Sequence, residues 1–179
     1  EGEGKTRVDA AVDLALARLS GGAESDQRLA SSGALTVSHA VSDRDLADVA
    51  GLGAKWALEG SQVNFDSSAV LPSGEIALRA TAGDVTLGAQ AEVDVAGRSV
   101  AFYDVNKPTW GGTASFVSDT GDVTFLAGAR VDVSAAAGGD AGTLILQSVN
   151  GTVSLADGSV QGANPEEDGV RGEGARVTI

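Results

Sequence analysis

At 179 residues the chain is long enough to bury a sizeable core as one domain, and its 25 glycines against three prolines, with only four Phe, two Trp and one Tyr, describe a turn-rich all-β protein. A net charge of −13, with twelve scattered basic residues, argues against a phosphate-tracking nucleic-acid surface and against attraction to an anionic membrane. The absence of cysteine leaves no disulfide framework and no thiolate metal site, and no stretch is long and apolar enough to span a bilayer.

The first 70 residues are irregular. Val8, Val12, Leu16 and Leu19 have helical spacing, while Val12, Leu14 and Leu16 also alternate as a strand would, and both readings stay open here. Leu35-Thr-Val37 reads as a strand, with the lone histidine, His39, at its end rather than in a ligand or base position. Ser42-Asp-Arg-Asp45 is a capping-box variant, and Leu46, Val49 and Leu52 share one helical face until Gly53. One short helix is therefore expected there, lying on the flank. Trp56-Ala-Leu58 and Val63-Asn-Phe65 return to alternation and predict one further irregular turn.

From residue 71 onward the chain repeats itself. Gly74-Glu-Ile-Ala-Leu with Gly83-Asp-Val-Thr-Leu, Gly112-Thr-Ala-Ser-Phe with Gly121-Asp-Val-Thr-Phe, and Gly142-Thr-Leu-Ile-Leu with Gly151-Thr-Val-Ser-Leu each place two glycines nine residues apart. Superposing them aligns apolar rows: Ile76, Ala114, Leu144; Leu78, Phe116, Leu146; Val85, Val123, Val153; and Leu87, Phe125, Leu155. The intervening positions are mostly small or polar, Ile145 being the misfit. A repeat of this kind cannot close a core alone, so it stacks on its neighbours as a parallel β-helix, or β-solenoid.

A third strand per turn is expected at Ala91-Glu-Val-Asp-Val, Ala129-Arg-Val-Asp-Val and the shorter Ser159-Val-Gln. Stacking would set Glu92 beside Arg130 and Asp94 beside Asp132. A calcium ion between the two aspartates is the alternative to a pair of solvated carboxylates, and solvated carboxylates are the favoured reading. The interval from Val85 to Val123 is 38 residues, against 30 from Val123 to Val153, so something is inserted. Ser99 to Gly112 is the candidate, carrying Phe102, Tyr103 and Trp110. It reads either as an extra strand over Val100 to Val105 with a Pro-bearing loop, or as part of an additional short turn. After Gly162 an acidic, breaker-rich run marks a surface excursion, and Ala175-Arg-Val-Thr-Ile179 restarts the opening strand without a cap. The expectation is one β-helix over 1–179, cut from a longer protein, with no internal domain boundary.

The stretches Gly83 to Leu87, Gly121 to Phe125, Gly128 to Ala135 and Gly138 to Leu144 resemble the shaft repeats of filamentous haemagglutinin-like exoproteins of Gram-negative bacteria. The resemblance covers about residues 70 to 162 and extends only weakly to the first 70. It implies a right-handed parallel β-helix within a long secreted protein, exported by a partner transporter and acting as an adhesin or surface filament. The family's secretion domain with its Asn-Pro-Asn motifs has no match here, nor has its Arg-Gly-Asp tripeptide, which Arg171-Gly-Glu173 only approaches.

An enzymatic reading would use Asp84, Asp122 and Asp119 as a carboxylate cluster, since parallel β-helices also host polysaccharide lyases and hydrolases. Asp after Gly at a strand entrance is better explained as turn chemistry, and no P-loop, dinucleotide fingerprint, zinc spacing or calcium nonapeptide accompanies it. No catalytic residue, cofactor or metal ligand is therefore assigned. The expected partners are the remainder of the parent exoprotein, surface glycans or proteins, and further copies stacked end to end. Tyr103 and Trp110 are the candidate contact residues. The favoured alternative for the insertion has Phe102 and Trp110 wedged against the core.

Overall fold

The computed structural model describes residues 2–42, 46–167 and 169–179. Period-two alternation dominates, and the fold that results is all-β and β-helix-like. Successive strands visit three parallel sheets in turn. The seven-stranded sheet takes Glu3–Val8, Asp26–Ser31, Lys55–Gly60, Glu75–Ala80, Thr113–Ser118, Thr143–Ser148 and Arg176–Thr178, stacked in chain order. The six-stranded sheet takes Val12–Leu16, Leu35–His39, Val63–Asp66, Val85–Leu87, Val123–Phe125 and Val153–Leu155. The five-stranded sheet takes Leu19–Ser20, Ser68–Val70, Glu92–Asp94, Arg130–Asp132 and Val160–Gln161.

The apolar rows stack in register. Ile76, Ala114 and Leu144 are direct partners, as are Leu78, Phe116 and Leu146. Val85 lies between Val63 and Val123, and Val123 pairs on with Val153; Leu87, Phe125 and Leu155 run alongside. Most of these side chains are fully buried, and each contributes about 1.5–3 kcal/mol by leaving water. Phe116 and Phe125 meet edge to face at 5.1 Å across the corner between two sheets. The rows also reach into the irregular part: Val12, Leu35 and Val63 stack, as do Leu14, Val37 and Phe65. Strand pairing therefore prevails over helical spacing at Val12 to Leu16.

Near the chain start the inward row of the seven-stranded sheet turns polar and small. Gly4 and Gln27 precede Trp56, and Thr6 precedes Leu29. The large side chains missing there leave a cavity of about 220 Å³ among Leu14, Leu16, Leu29, Val37, Trp56 and Leu58.

The flanking helix expected at Leu46 to Leu52 does not form, and no helix occurs among the described residues; positions 43–45 of its capping signature lie outside them. A run of seven residues has too few turns to be stable without packing, and Leu46 is exposed rather than packed. Gly53 is not a helix stop. With φ +73° it stands two residues before Lys55–Gly60, as Glu24 (φ +53°) stands before Asp26–Ser31 and Ser73 (φ +53°) before Glu75–Ala80. A left-handed residue at this corner turns the chain into the seven-stranded sheet. The described residues between His39 and Lys55 also supply no strand to the five-stranded sheet, and Leu19–Ser20 pairs directly with Ser68–Val70. The excursion is fastened by the Arg18 guanidinium donating to Ala47 O (2.7 Å), and by backbone bonds from Glu24 N to Leu52 O and Gly53 N to Pro72 O.

Side chains tie adjacent turns together at the corners. Ser118 Oγ donates to Gly83 O at 2.7 Å and accepts from Gly121 N at 2.8 Å. Ser148 repeats both bonds with Gly121 O and Gly151 N. Gly142 packs so closely on the turn before it that a Cβ there would lie 1.9 Å from Gly112 O, which explains why glycine recurs at this corner.

Candidate functional site

The insertion is neither one strand running from Val100 to Val105 before a Pro-bearing loop nor part of an additional turn. It is an antiparallel hairpin, Ser99–Phe102 with Val105–Pro108, turning through Tyr103 and Asp104. Its registry places Val100, Phe102, Val105 and Lys107 on one face, and all four are exposed. Phe102 is 62% exposed and Trp110 66%, so neither wedges the core. The apolar loop stays outside because the stacked rows beneath are already filled by Val93, Val95, Val131 and Val133.

Tyr103 sits at the hairpin tip, 93% exposed, with φ +57° and its ring edge to face with Phe102 at 5.0 Å. A bulky residue in the left-handed region costs about 1–3 kcal/mol, and Gly or Asn would hold the same turn more cheaply. Here the backbone bears the strain while the phenol ring faces solvent.

Trp110 lies beyond the hairpin on a firmly held backbone. Ser73 Oγ donates to Trp110 O at 2.9 Å and bonds Thr109 Oγ1 at 2.7 Å. Thr109 Oγ1 also accepts from Arg98 N at 2.7 Å, Thr109 N donates to Arg98 O, Gly111 N to Asp140 O and Gly112 N to Val95 O. Trp110 lines a surface depression of about 210 Å³ together with Lys55, Ser73, Glu75 and Thr113, floored by glycine backbone. Lys55 Nζ and Glu75 Oε2 are paired at 3.3 Å, both half exposed. Tyr103 does not line this depression.

Sequence reasoning singled out Trp110 but not Lys55, Glu75 or Ser73. A signal for two of them was present, because Lys55, Glu75 and Thr113 occupy the same opening position of successive strands.

The carboxylates proposed for catalysis are engaged in the fold. Asp84 Oδ1 accepts from Asp122 N at 2.8 Å, and Asp122 Oδ1 from Thr152 N at 2.7 Å. Their turn role spans adjacent turns of the repeat rather than a single one. Asp119 forms a two-point contact with Arg79 (2.8 Å at Nη2), which raises the Arg79 pKa above its ordinary value. Glu92 is the direct partner of Arg130, and Asp94 of Asp132, as the superposition requires. Asp94 is held by the Arg98 guanidinium and by Ala96 N, and Asp132 by Ser134 N. Among the described residues no group of three or more His, Asp or Glu side chains is gathered as a metal site. His39 ends its strand, exposed, above Leu16.

Comparison with protein-family models, curated proteins and solved structures finds no match to this chain.

Proposed function

We propose that the chain is a shaft segment of a right-handed parallel β-helix with three short strands per turn, from a filamentous haemagglutinin-like adhesin that is secreted or displayed on a bacterial surface. The observation that carries this reading is the unbroken row Val12, Leu35, Val63, Val85, Val123, Val153, six direct partners along one sheet. Each added turn lengthens the rod by one strand spacing, about 4.8 Å, buries its own apolar rungs and continues the backbone hydrogen-bond rows. Work of this kind is mechanical extension and display, and it requires no catalysis. Antibodies raised against the segment should label intact, unpermeabilised cells of the source bacterium; labelling only after permeabilisation would overturn the reading.

Two features favour a contact role in addition. Tyr103 and Trp110 expose aromatic rings to surface glycans or proteins. The edges of Val153–Leu155, Val160–Gln161 and Arg176–Thr178, with Val177 and Ile179 exposed, are templates for a further turn from the parent exoprotein or from another copy. Sedimentation across a hundred-fold concentration range should show reversible growth; strict monomers would rule out stacking of copies.

A further inference from the structure

We propose that the depression beside Trp110 binds one ring of a neutral sugar, with the indole as stacking platform and the Lys55–Glu75 pair as the hydrogen-bonding wall. The inference rests on the contact reading above and gives it a ligand class and a site.

The chemistry follows from the groups present. A pyranose has an apolar face of C–H bonds and a rim of hydroxyls, each both donor and acceptor. The indole of Trp110, two-thirds exposed, offers a flat apolar surface to the C–H face. Glu75 accepts from one hydroxyl while Lys55 donates to its neighbour, and the 3.3 Å separation of their charged atoms suits two adjacent hydroxyls bridging the pair. Ser73 and Thr113 line the same depression and complete its polar rim.

Size and charge narrow the ligand. The depression, about 210 Å³, is smaller than the roughly 300–1,000 Å³ of pockets that enclose drug-sized molecules, so it takes one ring of a chain that continues into solvent. The net charge of −13 disfavours sulfated or sialylated glycans. The platform is also pre-organised. The six hydrogen bonds described above, from three different turns, hold residues 109–112, so binding does not have to order the loop.

The test is a titration of the full chain with methyl glycosides of glucose, galactose, mannose and N-acetylglucosamine and with their neutral tetrasaccharides, following by NMR the indole N–H resonance of Trp110 in the parent chain and the backbone amides of residues 53, 55, 73–75 and 111–113, which line the depression, in the parent and every variant. Heparin serves as the anionic probe. At least one neutral series should shift that resonance with millimolar affinity. Trp110→Ala should abolish binding and Glu75→Gln should weaken it about ten-fold, while Tyr103→Ala leaves it unchanged. Because Trp110 is exposed, its Ala variant should keep the parent's denaturation midpoint, which separates lost binding from lost fold. No neutral sugar binding, binding that survives Trp110→Ala, binding of heparin alone, or capture through Trp110 of a protein without any sugar would each overturn the assignment. None of these outcomes alters the surface-labelling result, so the shaft reading stands or falls separately.

Discussion

Asp84 Oδ1 accepts the backbone N–H of Asp122 at 2.8 Å, a contact between residues 38 positions apart in the chain and one turn apart in the stack. Asp122 does the same for Thr152 and adds the Thr152 hydroxyl at 3.1 Å. A side chain that would ordinarily close its own turn instead fastens each turn to the next. Asp122→Ala should therefore lower stability by about 0.5–1.5 kcal/mol, the net worth of a hydrogen bond whose exposed donor, Thr152 N, can turn to water instead. Asp122→Asn, which keeps the acceptor, should lose less than half of that. Urea denaturation midpoints of the two variants decide the matter; equal losses would show that charge, not the acceptor, is what counts.

The core rows carry far more. Phe116 is fully buried between Leu78 and Leu146 and against the Phe125 ring. Its truncation to Ala should cost about 3–5 kcal/mol. Phe102→Ala, on the exposed hairpin, should stay within about 0.5 kcal/mol. A similar cost for both would mean that the hairpin packs on the body.

Glycine has different meanings at different corners. Gly142→Ala forces a Cβ to 1.9 Å from Gly112 O and should separate two turns, with a large loss of soluble yield. Gly174→Ala meets nothing within 4 Å and has no positive φ, so it should be neutral or stabilising by a few tenths of a kcal/mol. Thermal midpoints measured side by side test the contrast.

The hairpin tip makes a converse prediction. Tyr103→Gly relieves a φ of +57° and should stabilise the hairpin by about 1 kcal/mol, read as slower amide exchange at residues 100–107. Faster exchange would mean that the Phe102–Tyr103 ring contact outweighs the strain.

One titration is accessible at the chain start. The Lys5 ammonium bonds the Glu3 carboxylate and holds its pKa below the ordinary 4.5. A depressed carboxylate stabilises the fold above its unfolded pKa, and that contribution disappears as pH falls through the folded value. Lys5→Ala should return the Glu3 titration upward by NMR, with little change in midpoint at pH 7 because both groups are exposed.

The repeats from residue 71 could be read from the chain alone because their information is local and periodic. A polar–apolar alternation fixes which side faces in, and glycines nine residues apart fix the register, so the pairing of Val85 with Val123 and of Glu92 with Arg130 was legible without coordinates. Period two also reached back to Val12 and Leu14, where helical spacing competed with it. What the chain could not reveal was decided by contacts between distant residues. Gly53 resembled the end of a helix and became a left-handed corner, because the turn before Lys55–Gly60 needs one. Leu19–Ser20 met Ser68–Val70 directly, with no strand from the described residues of 40–54 between them. The aromatic insertion stayed outside because the interior was already full, and Lys55, Glu75 and Trp110 came to one depression because three turns present their corners at the same edge. Alternation sets the inside and outside of a single strand, whereas only the stacked assembly sets which turns leave room and which surfaces meet.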